Sequence, residues 1–138
     1  MIDIDNKTDI DIDIESIVNI AKNLTSKDIE LVVVDSDEMQ EINKTQRGID
    51  KDTDVLSFPY DDMPMVPLGS IVISSQKVKQ KALELKHSVD DEFKLLFIHG
   101  LLHLLGYDHE IDNGEMREME KKIIKDFNLP DSLIVRNS

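Results

Sequence analysis

Phe97-Ile98-His99-Gly100-Leu101-Leu102-His103-Leu104-Leu105-Gly106-Tyr107-Asp108-His109 holds three of the chain's 4 histidines. His99 and His103 are four residues apart, so on a helix both rings leave one face, a turn apart. Gly106 predicts the helix end, because glycine is the usual residue where the backbone turns left-handed and reverses. His109, three residues further on, then swings back toward the first two. Two imidazoles from a helical turn and a third from the loop behind it make three corners of a tetrahedron. Zinc takes nitrogen ligands in that way, at about 2.0–2.1 Å. Three protein ligands leave a fourth position for water, which marks catalytic sites more than structural ones. A lone pair at this spacing arises by chance; three histidines with a glycine so placed are much harder to obtain by accident. From Phe93 to Leu105 nearly every other residue is apolar, which predicts a helix buried round most of its circumference. Histidines there need partners, and a metal supplies one.

The same spacing shows what the site lacks. His-x-x-x-His-x-x-Gly-x-x-His is the register of the metzincin proteases, whose general base is a glutamate directly after the first histidine. Here that position is Gly100. The metal ligands are arranged as in a protease, and the base for peptide hydrolysis is missing.

Composition sets the frame. A chain of 138 residues, 40% hydrophobic and 33% charged, reads as one globular domain over residues 1–138. It has no cysteine, so a bound zinc must use nitrogen and oxygen ligands. No apolar run is as long as a membrane span. The start, Met1-Ile2-Asp3-Ile4-Asp5, is acidic and lacks the pattern of a signal peptide, so a soluble cytoplasmic protein is expected. The net charge of −13 argues against the general electrostatic attraction on which most nucleic-acid proteins rely. Any RNA contact has to be local, through the metal and a few cations.

Along the chain, Ile2, Ile4, Ile10, Ile12 and Ile14 alternate with aspartates, which predicts strand with a turn at Asn6-Lys7-Thr8-Asp9. A short helix is expected over residues 15–24. Ile29-Glu30-Leu31-Val32-Val33-Val34 is the clearest strand, apolar enough for a sheet covered on both faces. Ser36-Asp37-Glu38 opens a helix with Met39, Ile42, Asn43 and Gln46 on one face, ended by Gly48. Arg47 stands in its last turn, a common place for a cation near the negative end of a helix. Residues 53–59 read as a strand closed by Pro59, residues 60–68 as a loop, and Gly69–Ser74 as a strand. Ser74 or Ser75 caps a helix that buries Val78, Ala82 and Leu85. Its Lys77, Lys79, Lys81 and Lys86 are read as a solvated face. The histidine helix starts near Val89-Asp90. A last helix over 114–127 carries the stripe Met116, Met119, Ile123, Phe127, read as core. The alternation of strands and helices, giving way to helices, implies an α+β (mixed α/β) fold with one mixed sheet.

Two segments together resemble one family. The first is Asn43-Lys44-Thr45-Gln46-Arg47-Gly48-Ile49-Asp50 leading into Thr53-Asp54-Val55-Leu56-Ser57-Phe58-Pro59. The second is the His99–His109 stretch with its Leu-Gly-Tyr-Asp-His ending, and Leu68-Gly69-Ser70-Ile71-Val72-Ile73-Ser74 lies between them. These resemble the bacterial YbeY family of endoribonucleases, or rRNA maturation factors, over roughly residues 29–127. The resemblance implies a small mixed four-stranded sheet surrounded by about five helices, with a central metal helix in a zincin-like arrangement. It implies metal-dependent cleavage of single-stranded RNA, maturation of the small-subunit (16S) rRNA 3′ end, and ribosome quality control. The partners implied are rRNA and the ribosome or its small subunit with associated proteins, with neither membrane nor DNA. His99, His103 and His109 match the family's zinc ligands, and Arg47 matches its arginine near the cleft. The family commonly has aspartate after the Leu-Gly pair, where this chain has Ser70, so a changed surrounding of a ligand is one expectation.

The expected mechanism joins a zinc-held water to an Arg47 fork on a phosphate oxygen. The proton-transfer role falls to Asp54, Ser57 or Asp108, or the RNA's own 2′-hydroxyl attacks. Asp108, beside a ligand, reads first as a partner that orients a histidine. Two other classes stay open at this point: a zinc hydrolase of another substrate, and a non-enzymatic assembly factor with a structural zinc.

Overall fold

The structure, a computed structural model, describes residues 2–107 and 114–130. Its elements run β1 (Ile2–Asn6), α1 (Ile14–Leu24), β2 (Ile29–Val34), α2 (Ser36–Arg47), β3 (Val55–Pro59), β4 (Gly69–Ser74), α3 (Ser75–Leu85), α4 (Val89–Leu104) and α5 (Glu115–Phe127). The four strands form one mixed sheet in the order β1-β2-β4-β3. β1 and β2 pair in parallel, as do β2 and β4, while β3 pairs antiparallel with β4 along an edge.

Alternation along the strands sorts their side chains into two layers. Leu31, Val33, Ile71 and Ile73 join Ile17 and Ile20 of α1, Val78 of α3, Phe93, Phe97 and Leu101 of α4, and Met116 and Ile123 of α5 in the larger core. Val34, Leu56 and Val72 face the other way, against Met39 of α2. The sheet is therefore covered on both sides, as the apolar run of β2 predicts. α4 lies in the larger layer and carries the most buried residues of any helix.

Two expectations need correction. The Ile/Asp alternation predicts strand on both sides of a turn, but β1 stops at Asn6. There the Asn6 carboxamide ties up the backbone: Oδ1 accepts from the Thr8 amide (3.0 Å) and Nδ2 donates to the Ile10 carbonyl (2.8 Å). An asparagine bonded to its own downstream backbone replaces a strand ladder, and Ile10 plugs the core from a loop. Leu85 is 41% exposed rather than buried: α3 buries Ser75, Val78 and Ala82 before Lys86 ends it left-handed at φ 59°.

Candidate metal centre

α4 is fixed at both ends. The Ser88 hydroxyl accepts from the Asp91 amide at 3.0 Å, and Asp90, Asp91 and Glu92 fill the first turn, where carboxylates suit the positive end of the helix. At the other end Gly106 takes φ 98°. Its amide donates to the His103 carbonyl (3.0 Å), and the Tyr107 amide donates to the Leu102 carbonyl (3.0 Å). These are the two bonds of a glycine-terminated helix reversal, at the residue where the sequence predicts it.

Between these ends the two histidines come together as the spacing requires. Their rings meet edge to face, 4.7 Å between centroids and 80° between planes. The two Nε2 atoms are 3.1 Å apart. A tetrahedral zinc with nitrogens at 2.0–2.1 Å sets neighbouring ligands about 3.3 Å apart, so this pair is spaced to share one ion. His109 and Asp108 lie outside the described residues, and among the described residues no set of three histidine, aspartate or glutamate side chains clusters for a metal.

On its other nitrogen His99 meets a residue that the sequence reading passed over. His99 Nδ1 lies 2.9 Å from Oε1 of Glu120, whose side chain is 1% exposed. The signal was available: Glu120 stands four residues after Met116 and three before Ile123, inside the apolar stripe of α5. A carboxylate in a buried stripe needs a reason. Glu120 Oε2 has no hydrogen-bond partner among the described residues.

Gly100 explains why no base follows the first histidine. A Cβ there would stand 3.0 Å from Ile71 Cγ2, 3.1 Å from Ser57 Oγ and 3.3 Å from Val55 Cγ2. The helix lies so close to β3 and β4 that a side chain here would have to push Ile71, Ser57 and Val55 aside. Ser57 belongs to the same contact: its hydroxyl donates to the Gly100 carbonyl at 3.0 Å, so it joins β3 to α4. Asp54 Oδ1 accepts from the Val55 amide at 2.8 Å, and its carbonyl accepts from the Ser74 amide at 2.9 Å. Arg47 ends α2 just before Gly48 turns left-handed at φ 71°. It is exposed, and its guanidinium makes no hydrogen bond or ion pair among the described residues. No such bond ties Asp54 or Arg47 to either histidine among those residues. Ser70 sits on the strand face opposite α4, paired across the sheet with Glu30 and Phe58, so the departure from aspartate there does not touch the histidines. It adjoins Tyr60, whose hydroxyl donates to Glu30 Oε2 at 2.6 Å; that bond, then burial, raises the phenol's pKa above its ordinary value.

The chain matches the model of the family described as "Endoribonuclease YbeY" over residues 2–128. It is 65% identical to the Endoribonuclease YbeY of Sulfurimonas denitrificans over 137 residues, covering 99% of both chains. It is 61% identical to that of Nautilia profundicola, again over 99% of both. A solution structure of TM1509 from Thermotoga maritima is similar at a TM-score of 0.64 and 29% identity, over 93% of this chain and 92% of that one. The chain belongs to the YbeY family of endoribonucleases.

Proposed function

We propose that this chain is a zinc-dependent endoribonuclease of single-stranded rRNA, working in the cytoplasm on the small ribosomal subunit in 3′-end maturation and ribosome quality control. The family supports RNA cleavage. The observation that carries the metal is the pair of Nε2 atoms 3.1 Å apart on α4. His99, His103 and His109 would hold the ion, and nitrogen ligands without thiolate suit zinc. When bound, the ion supplies a Lewis acid and a local positive charge against a phosphate oxygen. Arg47 has five donors in a planar fork and no competing partner among the described residues, which suits it to grip a second phosphate oxygen. That grip tightens as charge develops on the phosphate. Ser57, with its hydroxyl given to the Gly100 carbonyl, is withdrawn from proton transfer. Asp54, Asp108 and the RNA's own 2′-hydroxyl remain for that role.

The test is cleavage of a labelled single-stranded RNA by metal-loaded wild type, His103→Ala and Arg47→Ala, each checked for folding and zinc content. Cleavage by wild type, lost in both variants while Arg47→Ala keeps its zinc, is the expected result. Equal cleavage by all three would betray a contaminating nuclease. No cleavage by any would shift the reading to a ribosome-assembly factor.

A further inference from the structure

We infer that Glu120 is the positioning residue of the metal centre: it holds His99 with the proton on Nδ1 and so turns a bare Nε2 toward the ion. The inference rests on the metal reading above. A carboxylate can only accept, so the 2.9 Å contact at Nδ1 fixes which nitrogen of His99 carries the proton. The lone pair is then on Nε2, the atom that faces His103. The pairing of a metal-bound imidazole with a carboxylate behind it orients the ring and raises its basicity.

Burial gives a second, independent argument. Glu120 is 1% exposed, and one of its oxygens has no hydrogen-bond partner among the described residues. A buried carboxylate with one imidazole as its partner and its second oxygen unbonded is costly. A cation on the far nitrogen of that partner supplies the missing opposite charge through the ring. The fold contains its own control. His87 Nε2 and Glu92 Oε1 also meet, at 2.7 Å, with Glu92 fully buried. That pair joins the end of α3 to the start of α4 and has no second histidine beside it among the described residues. A buried histidine–carboxylate pair does not by itself mark a metal site; the neighbouring His103 ring sets the Glu120 pair apart.

The experiment measures zinc affinity by chelator competition for wild type, Glu120→Gln and Glu120→Ala, with the Co(II) absorption spectrum and the melting curve of each metal-free protein. Glu120→Gln can still accept the Nδ1 proton but carries no charge. Glu120→Ala should bind zinc about 10–100-fold more weakly, with Glu120→Gln in between and a changed Co(II) spectrum. A folded Glu120→Ala with wild-type zinc affinity would overturn the assignment, whatever its melting temperature. If the alanine variant does not fold, wild-type affinity in the glutamine variant would overturn it equally. Wild type that binds no zinc would bring down the metal reading itself, a result distinct from equal affinities.

Discussion

At Gly100 packing and chemistry meet in one residue. The missing side chain reads in sequence as a missing general base, and the structure adds that any side chain there would crowd Ile71, Ser57 and Val55. Gly100→Ala should cost about 1–3 kcal/mol, the usual penalty for an inserted methyl in a filled space, because the side chains of Val55, Ser57 and Ile71 on β3 and β4 bound the gap. Urea unfolding would measure it, and an unchanged midpoint would mean that α4 can lift off the sheet cheaply. Ser57→Ala tests the other half of the contact. It should lose roughly 0.5–1.5 kcal/mol with the hydrogen bond to Gly100, and metal-loaded protein should keep cleaving RNA. A stable, zinc-bearing Ser57→Ala that no longer cleaves would return the hydroxyl to the chemistry. The histidine spacing and Gly106 were legible because they obey local helical geometry. The closeness of Gly100 to Ile71 was not, since it depends on the register of two strands with a helix laid across them. Glu120 lay between these cases: its place in the stripe was visible, its partner twenty-one residues away was not.

Elements were legible wherever a cap and an apolar period agreed. Asp35 shows how little is needed: its carboxylate accepts from the Glu38 amide at 2.8 Å and opens α2 beside the predicted start. The strand predicted beyond β1 failed because side-chain bonding by Asn6 competes with a period-two pattern that continues past it. Two consequences belong to this scale. Lys94 reaches from α4 to Asp90 (2.6 Å) and to Asp13 (3.3 Å), the residue that caps α1. Burial lowers the lysine's pKa, but Asp90 and Asp13 outweigh it and leave it raised. Asp13 is lowered, first by its bonds to Ser16 and then by Lys94. A lowered carboxylate stabilises above its ordinary range and loses that contribution as pH falls through the folded value. A raised lysine stabilises below its ordinary range and loses it as pH rises through the folded value. The contribution of this tie is thus flat near neutrality. The melting-temperature gap between wild type and Lys94→Met should narrow at the acid and alkaline ends, and a constant gap would show that the charges contribute nothing. The second consequence concerns α5, which reaches the centre through Glu120. Removing the metal should raise amide exchange in α5 more than in β2 and β4. Equal changes in helix and sheet would show instead that the ion supports the whole fold.

On the scale of the molecule the question is how a chain of net charge −13 engages a polyanion. The most basic stretch offers no answer, as its composition already suggested. Lys77 pairs with Asp52 (3.6 Å), Lys79 with Asp9 (3.2 Å) and Lys81 with Glu84 (3.6 Å), so the α3 lysines serve the protein's own carboxylates. On the proposed function, Arg47 and the metal centre would carry the phosphate contacts. Counterion release makes the logarithm of affinity fall against the logarithm of salt by about 0.7 per phosphate neutralised on a single strand. Two such contacts predict a slope near −1.4, far shallower than for proteins that grip nucleic acid along a basic face. Fluorescence anisotropy of a short labelled RNA with metal-loaded protein, titrated with salt, would give the slope. Arg47→Ala should flatten it by about 0.7 while zinc content stays the same. A wild-type slope near −4 would require further cationic contacts and would move recognition away from the two groups assigned to it. A slope that Arg47→Ala leaves unchanged would take the arginine out of phosphate contact and leave the metal centre as the sole anchor.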